Sequence, residues 1–321
     1  MNIGGYKMKL GFIKPVFPNE KRVALLPQHI ENFPNELYLE KNFGEILDID
    51  DEEYIKKGCK ILTREEIFKN CEAIVTLKNI STNDYKYLKK NQILIGWIHP
   101  ETTVLGQQFM RDTQDKELII VDLETRFPSI FYKGNKKKLD FIPKNFLKEN
   151  SKAAGKVAVL HSMLSFGKLF NKNTKVAILA IGNVGQGAYS MVSKFTDDIS
   201  IYTRKNMEEF YYNISNFNLI INCIEIEENE KSIISLEKRK QIKKGCLVVD
   251  AAGDPGRAIE GIELTTWEEP IVNINGVYYY SIDNLPTLCF REISENISRI
   301  FSSLIYSKKI ENIYKLIDEK Y

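Results

Sequence analysis

Three basic side chains stand at the borders of apolar, strand-like runs. Lys78 follows the run in "AIVTLKN", His99 follows the run in "ILIGWIHPE", and Arg22 precedes the apolar residues of "NEKRVALLP". Polar groups at the carboxyl ends of strands lie on the edge where α/β sheets bind ligands. Arginine can hold a carboxylate through two hydrogen bonds, lysine can polarise a carbonyl group, and histidine can exchange a proton near neutral pH. Each residue alone is ordinary, but together they indicate a catalytic site.

Two further polar residues lie in turns of the second half of the chain. Asp254 in "VVDAAGDPGRAIEG" follows a strand-like run inside a loop rich in glycine and proline, where it is either a turn-former or a carboxylate that faces the active site. Asn284 in "IDNLPT" is either a turn residue or a contact to the nicotinamide end of a cofactor. His29 and His161 lie within helical patterns and are interpreted as surface or packing residues.

The stretch "KVAILAIGNVGQGA" has the strand, glycine turn and helix-compatible segment of a dinucleotide-binding motif. Ala180 replaces the first glycine, which an alanine can do only if φ stays negative. Gly182 allows close approach of the pyrophosphate and Gly185 allows the helix to pack on the strand, although a purely structural turn is the alternative. The helix that begins near Asn183 directs its N–H groups at the phosphates. The predicted cofactor contacts in this turn are Ala180, Gly182, Asn183, Val184 and Gly185.

About twenty residues after this turn, "IYTRKN" stands where such folds usually carry an acid for the adenosine ribose. No acid occurs from Ile199 to Met207, and the predicted strand is followed instead by Thr203, Arg204 and Lys205. A hydroxyl group and two cations suit the 2′-phosphate of NADP(H), whereas a carboxylate would repel it. The stretch therefore favours NADP(H) as the cofactor, with a solvated loop as the alternative.

Composition excludes several classes of protein. Lys+Arg 45 against Asp+Glu 43 gives a net charge of +2, too balanced for a nucleic-acid or membrane surface. The five cysteines are odd in number and form no Cys-x-x-Cys pair, which argues against a disulfide scaffold or a zinc site and favours a reducing compartment. No signal-like start and no run of about 18 apolar residues occurs. We expect a soluble cytoplasmic protein without a metal.

Apolar strand-like runs alternate with helical patterns along most of the 321 residues, which predicts an α/β fold with largely parallel sheets. We expect two Rossmann-like, doubly wound domains with a cleft between them. Residues 1–143 and 286–321 form the predicted substrate domain, to which a C-terminal helix returns. Residues 144–285 form the predicted NADP(H)-binding domain.

Local patterns give four further predictions. A helix over residues 63–69 has Thr63 as its N-cap and Glu66 three residues later. A long helix covers about 144–170, and residues 287–321 carry a helical pattern with no breaker. Residues 128–143 are predicted to be a loop, which includes the solvated lysine run Lys136, Lys137 and Lys138.

These motifs resemble the alanine dehydrogenase and pyridine nucleotide transhydrogenase superfamily over nearly the whole chain. The opening "GFIKPVFPNEKRVALLP" is similar to the opening of that family and implies that Arg22 binds the carboxylate of a 2-oxo acid. The resemblance also implies that Lys78 binds substrate and that His99 and Asp254 are catalytic. "DNLP" matches the turn of the family near the nicotinamide, which contains Asn284.

The similarity is greatest to one small branch, the carboxyethylornithine synthases. It extends from "KVAIL" through "GNVGQGA", "YTRK", "INCIEI", "VDAA" and "AIEG" to "VYYYSIDNLPTL". The branch implies NADPH-dependent reductive condensation of pyruvate with the side-chain amine of ornithine or lysine. In that reaction Lys78 polarises the keto group, His99 supplies a proton as hydroxide leaves, and Asp254 orients the amine or balances charge. A homo-oligomer is expected.

Other activities fit parts of the pattern. An alanine dehydrogenase usually has an acid where "TRK" stands and a Leu/Ala-rich stretch where "HPETT" stands, so it fits less well. A saccharopine-type dehydrogenase that uses 2-oxoglutarate needs one more cation for the second carboxylate, and the motifs identify none. A non-catalytic NADP(H)-binding protein would lack the set of Arg22, Lys78, His99 and Asp254. Glu124 and Arg126 are candidates for holding the amino-acid co-substrate.

Overall fold

A computed structural model describes residues 7–123, 128–226, 230–252 and 258–318 of the chain. The chain divides into two compact units, a first unit of Met1–Leu147 with Phe290–Tyr321 and a second unit of Lys148–Cys289. Each unit contains one largely parallel sheet with helices between its strands, which confirms the predicted α/β fold class. Within the described ranges no helix combines the length and the apolar character that crossing a membrane requires.

The strands and helices are numbered in chain order. The strands are β1 (Lys9–Phe12), β2 (Glu36–Glu40), β3 (Lys60–Leu62), β4 (Ala73–Val75), β5 (Ile93–Gly96), β6 (Ile119–Asp122), β7 (Ser129–Tyr132), β8 (Asn135–Lys138), β9 (Val176–Leu179), β10 (Ile199–Tyr202), β11 (Leu219–Asn222), β12 (Leu247–Asp250), β13 (Val272–Ile274) and β14 (Val277–Tyr280). The α-helices are α1 (Asp51–Ile55), α2 (Arg64–Asn70), α3 (Val104–Asp112), α4 (Lys148–Ser165), α5 (Asn183–Val192), α6 (Met207–Asn213), α7 (Leu236–Arg239), α8 (Phe290–Phe301) and α9 (Glu311–Asp318).

The sheet of the first unit has the strand order β3-β2-β1-β4-β5-β6-β7-β8. Strands β1 to β6 are parallel, and β7 and β8 are added as an antiparallel hairpin. The chain builds outward from β1 in one direction and from β4 in the other. In open α/β sheets a crevice forms at the carboxyl ends of the strands where the order reverses in this way. The loop after β1 and the loop after β4 therefore flank the expected ligand crevice.

The chain between β1 and β2 is largely irregular, and residues 22–27 of it are buried. Buried backbone N–H groups need partners, and here two serines of α8 supply them. The N–H of Val23 donates to Oγ of Ser294 at 2.8 Å, and the N–H of Leu26 donates to Oγ of Ser298 at 2.7 Å. The C-terminal helix α8 thus fixes the backbone that carries Arg22.

Two tyrosines satisfy carbonyl groups of the same segment. The hydroxyl of Tyr54 donates to the carbonyl oxygen of Leu25 at 2.9 Å, and the hydroxyl of Tyr306 donates to that of Ala24 at 3.2 Å. Both tyrosines are completely buried, and burial raises the pKa of each hydroxyl far above its usual value. They therefore remain neutral donors at neutral pH.

Helix α2 shows how local sequence sets an element. The Thr63 side chain accepts the N–H of Glu66, and the Glu66 carboxylate accepts the N–H of Thr63, so the predicted capping box is confirmed. The helix ends at Asn70, one residue beyond the predicted end.

Two local predictions are wrong. Residues 128–143 contain the hairpin β7–β8, whose turn residues Lys133 and Gly134 have φ of 48° and 78°. Two successive positive φ values match the right-handed twist of a two-residue hairpin. The run Lys136–138 is therefore not a loop but part of the edge strand β8, where lysines prevent pairing with other chains.

The helical pattern over 287–321 is interrupted. Helix α8 ends in one π-helical turn, Ser302–Tyr306, and α9 begins only at Glu311. In the interruption the side-chain amide of Asn35 donates to the carbonyl of Lys308 and accepts the N–H of Ile310. A long-range side chain thus replaces the helical hydrogen bonds that the local sequence alone would favour.

The sheet of the second unit has the order β10-β9-β11-β12-β14-β13, with β13 antiparallel. Helix α4, shorter than the predicted 144–170, packs closely on α5. A Cβ atom added to Gly155 would lie 1.9 Å from the carbonyl oxygen of Val184, and one on Gly187 would lie 2.0 Å from that of Lys152. The backbones of the two helices therefore touch, which seats α5 and the turn before it.

We predict that Ser294→Ala lowers the free energy of unfolding of the first unit by about 1–3 kcal/mol, because the N–H of Val23 loses its partner in a buried position. Ser303→Ala, an exposed position in the π-helical turn, is the matched control and should change stability by less than about 0.5 kcal/mol. Trp97 lies in the first unit and Trp267 in the second, so urea titration of Trp97 fluorescence in a Trp267→Phe background reports on the first unit. Equal effects of both serine substitutions would contradict the assigned role of Ser294.

Candidate functional site

Arg22 and Lys78 of the first unit converge on the indole ring of Trp97. The guanidinium carbon of Arg22 lies 4.9 Å from the centre of the ring, and Nζ of Lys78 lies 6.0 Å from it. Trp97 follows β5 and is itself fixed, because its Nε1–H donates to the carbonyl oxygen of Leu123 at 2.9 Å. Two cations on one aromatic ring are held by the negative charge of its faces. The structure thus brings two of the predicted residues together through a third that the sequence analysis did not identify.

Arg22 is only 2% exposed and is paired with Glu20. Its Nε donates to Oε1 of Glu20 at 2.8 Å and its Nη2 donates to Oε2, so one edge of the guanidinium is occupied. The Glu20 carboxylate also accepts the backbone N–H of Arg22 at 2.9 Å. Glu20 therefore balances the charge of the buried arginine.

Lys78 stands in a short loop after β4 whose shape is fixed by hydrogen bonds. The hydroxyl of Thr76 donates to the carbonyl oxygen of Lys78 at 2.7 Å, and the N–H of Trp97 donates to that of Leu77 at 3.3 Å. The Lys78 ammonium also lies 5.4 Å from the ring centre of Phe17, in the loop after β1. The lysine is therefore positioned by both strands that border the crevice.

His99 has a backbone φ of +53°, a left-handed conformation that costs non-glycine residues about 1 kcal/mol. Burial, and second to it the charge of Lys78, lowers the pKa of His99 to about 4. The imidazole is therefore neutral at pH 7. A neutral imidazole can accept a proton, and His99 can donate one in a reaction only after it has taken one up.

Three predicted residues of this site lie outside the described residues, namely Asp254 and the co-substrate candidates Glu124 and Arg126. Three residues that the sequence analysis missed are Glu20, Trp97 and Asp122. Asp122 ends β6, beside the strand that leads to His99, so its position at the end of an apolar run was the available signal. Trp97 lies inside an apolar run and reads as a core residue.

In the second unit the turn after β9 differs from the expectation at Ala180. Its φ is +74°, so the prediction that this alanine keeps φ negative is wrong. The N–H of Ala180 donates to the carbonyl oxygen of Tyr202 at 2.7 Å, and the turn begins directly after it. The tertiary structure imposes the conformation of the usual glycine on an alanine, at a cost of about 1–2 kcal/mol.

The rest of the turn has the shape that a pyrophosphate group needs. A Cβ atom on Gly182 would project into open space, whereas one on Gly185 would lie 2.2 Å from the carbonyl oxygen of Ala180. Gly182 is the N-cap of α5, and Asn183 and Val184 form its first turn. Open space at the start of a ten-residue helix, whose N–H groups attract anions, fits a dinucleotide phosphate.

Beyond β10, Thr203 and Lys205 form a tight turn and Arg204 points to an acid. The hydroxyl of Thr203 donates to Oδ1 of Asn206 at 3.1 Å and accepts the N–H of Lys205 at 3.3 Å. Nη2 of the exposed Arg204 lies 3.3 Å from both carboxylate oxygens of Glu230. An acid is therefore present near the predicted 2′-phosphate site, but it comes from a distant part of the sequence.

Asn284 adopts a left-handed conformation with φ of 60° directly before the 3₁₀ helix Leu285–Cys289. Its carbonyl oxygen accepts the N–H of Thr287 at 3.1 Å, and its own N–H donates to Asp283. The turn role is therefore observed, and the nicotinamide contact stays a prediction. Among the described residues no group of three or more His, Cys, Asp or Glu side chains is arranged to hold a metal ion.

Comparison with known proteins gives concordant results for the two halves of the chain. Residues 11–128 match the family described as alanine dehydrogenase/PNT, N-terminal domain, and residues 172–319 match its C-terminal domain. An N(5)-(carboxyethyl)ornithine synthase of Clostridium botulinum is 47% identical over 97% of this chain and 98% of its own length. The synthase of Lactococcus lactis is 44% identical over 94% of this chain and 97% of its own length.

Solved structures show the same fold at lower sequence identity. An L-alanine dehydrogenase has a TM-score of 0.77 and is 18% identical, with coverage of 97% of this chain and 93% of its own. A transhydrogenase from Sinorhizobium meliloti has a TM-score of 0.74 and is 17% identical, with coverage of 93% of both chains. At these identities the likeness establishes the fold.

The lowered pKa of His99 predicts how stability depends on pH. Between its usual value of 6.5 and about 4, the unfolded chain binds a proton at His99 that the folded chain does not. The free energy of unfolding should therefore fall as the pH drops below 6.5, by about 1–2 kcal/mol between pH 7 and pH 5 from this residue alone. His99→Gln should remove that part of the decrease, measured by urea titration of Trp97 fluorescence in the Trp267→Phe background. Identical decreases with and without His99 would contradict the prediction.

Proposed function

Since the chain belongs to the alanine dehydrogenase and pyridine nucleotide transhydrogenase family, within its carboxyethylornithine synthase branch, we propose that it catalyses the NADPH-dependent reductive condensation of pyruvate with the side-chain amine of ornithine or lysine. The chain is an oxidoreductase of the class that acts on CH–NH bonds. The observation that carries the proposal is the convergence of Arg22 and Lys78 on Trp97, beside a histidine that rests neutral.

In this proposal the 2-oxo acid binds in the first unit. The Arg22 guanidinium donates hydrogen bonds to its carboxylate, and Glu20, which accepts from Nε and Nη2, balances part of the charge. Lys78 donates a hydrogen bond to the keto oxygen and withdraws electrons from the carbonyl carbon. A small oxo acid such as pyruvate needs no further cation, which favours it over a dicarboxylic substrate.

His99 moves the proton between the two steps of condensation. The neutral amine attacks the carbonyl carbon, and the nitrogen releases a proton that the neutral imidazole accepts. The imidazolium passes this proton to the oxygen, which gives the carbinolamine. A second proton, which the imidazole takes up from solvent, then protonates the hydroxyl group, so that water leaves and the iminium ion forms. The charge of Lys78 and burial both favour the return of the proton, because they lower the pKa of His99. We propose that Asp254, outside the described residues, orients the amine or balances its charge.

The second unit holds the nucleotide in this proposal. The space at Gly182 and the start of α5 receive the pyrophosphate, with Ala180 and Gly185 shaping the turn. Thr203 and Arg204 bind the 2′-phosphate, with Lys205 as a more exposed helper, and Asn284 contacts the nicotinamide end. When bound, NADPH supplies the hydride that reduces the iminium ion to the secondary amine.

We further propose that the enzyme acts in the cytoplasm as a homo-oligomer. The net charge of +2 gives no electrostatic attraction to membranes or nucleic acids. None of the five cysteines, all within the described residues, forms a disulfide, which fits a reducing compartment.

The activity is tested by following NADPH oxidation with purified protein, pyruvate and one amine at a time. We expect turnover with ornithine or lysine and little with ammonia or without an amine. In His99→Gln, turnover should fall about 10²–10⁴-fold while the dissociation constant of NADPH stays the same, because the residue moves protons and does not hold the nucleotide. Turnover with ammonia as the preferred amine would favour an alanine dehydrogenase-like reaction and contradict the proposal.

Cofactor choice gives a separate prediction in the second unit. Arg204→Ala should raise the dissociation constant of NADPH about tenfold or more and leave that of NADH within about twofold, because only NADPH carries the 2′-phosphate. Glu230→Gln should tighten NADPH binding about twofold, since it removes a competing carboxylate from Arg204. Lys172→Ala, in the loop before β9 and therefore at the amino ends of the parallel strands, is the control. Nucleotide fluorescence titrations measure the dissociation constants of NADPH and NADH for each variant. Equal weakening of NADPH and NADH binding in Arg204→Ala would overturn the NADP(H) preference.

A further inference from the structure

Asp122 is a buried acid at the carboxyl end of β6. Asp122 is 4% exposed, and its backbone pairs with Gly96 of β5 and with Ser129 of β7. A buried carboxylate is unfavourable unless it accepts strong hydrogen bonds. Its place in the sheet does not require an acid, because the ladder uses only backbone groups. The partners of the carboxylate therefore show what the residue does.

One oxygen of Asp122 binds the backbone that leads to His99. Oδ1 accepts the N–H of Ile98 at 2.9 Å and the N–H of His99 at 3.1 Å. The regular pairing of the two strands ends just before, where the N–H of Leu123 donates to the carbonyl oxygen of Gly96 at 2.8 Å. Two successive N–H groups that converge on one anionic oxygen form a concave backbone arrangement, and the charge strengthens both hydrogen bonds.

The carbonyl group of His99 is also fixed by hydrogen bonds. Its carbonyl oxygen accepts the N–H groups of Thr102 at 3.3 Å and Thr103 at 3.4 Å. A Cβ atom added to Gly106 of α3 would lie only 2.0 Å from that oxygen, so the helix backbone presses directly on His99. With its N–H and its carbonyl both fixed, His99 keeps the left-handed φ of +53°. The direction in which its side chain leaves the backbone is thereby set.

We propose that Asp122 is a positioning residue for the reaction, which holds the backbone of His99 so that the imidazole reaches the amine nitrogen and the oxygen between which it moves the proton. The inference rests on the proposed function, in which His99 moves the proton. In this proposal Asp122 acts on His99 and not on the substrate. Its effect passes through two backbone hydrogen bonds, and proton transfer depends steeply on such alignment.

A purely structural role for Asp122 makes different predictions. A residue that only stabilises the first unit would, when replaced, lower the unfolding free energy without moving the imidazole. The matched control is Gln92, at the amino end of β5, which is 2% exposed and whose Nε2 donates to the carbonyl oxygens of Phe68 and Cys71. Gln92→Leu should destabilise the same unit and leave His99 unchanged.

The experiment compares Asp122→Ala, Asp122→Asn and Gln92→Leu in the full-length chain. We expect kcat to fall about 30-fold or more in Asp122→Ala, with KM for pyruvate and the dissociation constant of NADPH within about threefold. Asp122→Asn should recover most of kcat, because its amide oxygen can accept the same two N–H groups. A kcat within about threefold of the unmodified protein in folded Asp122→Ala, or an equal loss in Gln92→Leu, overturns the proposal.

A second readout does not depend on activity. The chain has three histidines, so the imidazole of His99 can be followed by NMR titration and identified with His99→Gln. In Asp122→Ala we expect the pKa of His99 to rise from about 4 toward 6.5, by about one unit or more, as the released loop gains water. An unchanged titration overturns the proposal even if the unmodified protein shows no turnover and the proposed function fails. If Asp122→Ala does not fold, Gly106→Ala displaces the same backbone from the other side and should give the same shift, and its absence would again overturn the proposal.

Discussion

The first unit depends on the burial of residues 22–27 in an irregular conformation. A backbone that is buried outside helices and sheets must find a partner for each N–H and carbonyl group, and each failure costs about 1–3 kcal/mol. The partners here are Ser294, Ser298, Tyr54 and Tyr306. Because three of these belong to the C-terminal segment, the return of that segment to the first unit and the placement of Arg22 are a single structural requirement.

The electrostatic arrangement of the candidate site follows from the same burial. Glu20 offsets the charge of Arg22, so the arginine is tolerated at 2% exposure. Lys78 has its ammonium near two aromatic rings. Its charge acts on His99 and, with burial, keeps that imidazole neutral. A neutral imidazole, an ammonium group and a paired guanidinium therefore coexist in the first unit without neutralising one another.

Much of the fold class could be predicted from the sequence, because buried parallel strands appear as apolar runs and helix caps are local. Lys78 and His99 could be identified as candidates for the same reason, since each follows such a run. Trp97 was not, because an aromatic residue in an apolar run looks like core. The conformation of Ala180 was missed because the turn overrides the preference of alanine. Glu230, which pairs with Arg204, lies 26 residues away in the sequence, so local patterns could not identify it. The strand that contains the lysines of β8 is recognised only from its pairing with β7.

The division of the chain also determines the order in which its parts can fold during synthesis. Val23 and its partner Ser294 are 271 residues apart. At typical rates of about 5–20 residues per second, roughly 15–55 s separate their appearance at the ribosome. The second unit is a continuous stretch, Lys148–Cys289, and is complete before Ser294 is made. The nascent chain must therefore keep the apolar residues 23–26 from aggregating while the second unit folds, and the unit synthesised first is the last to reach its native state.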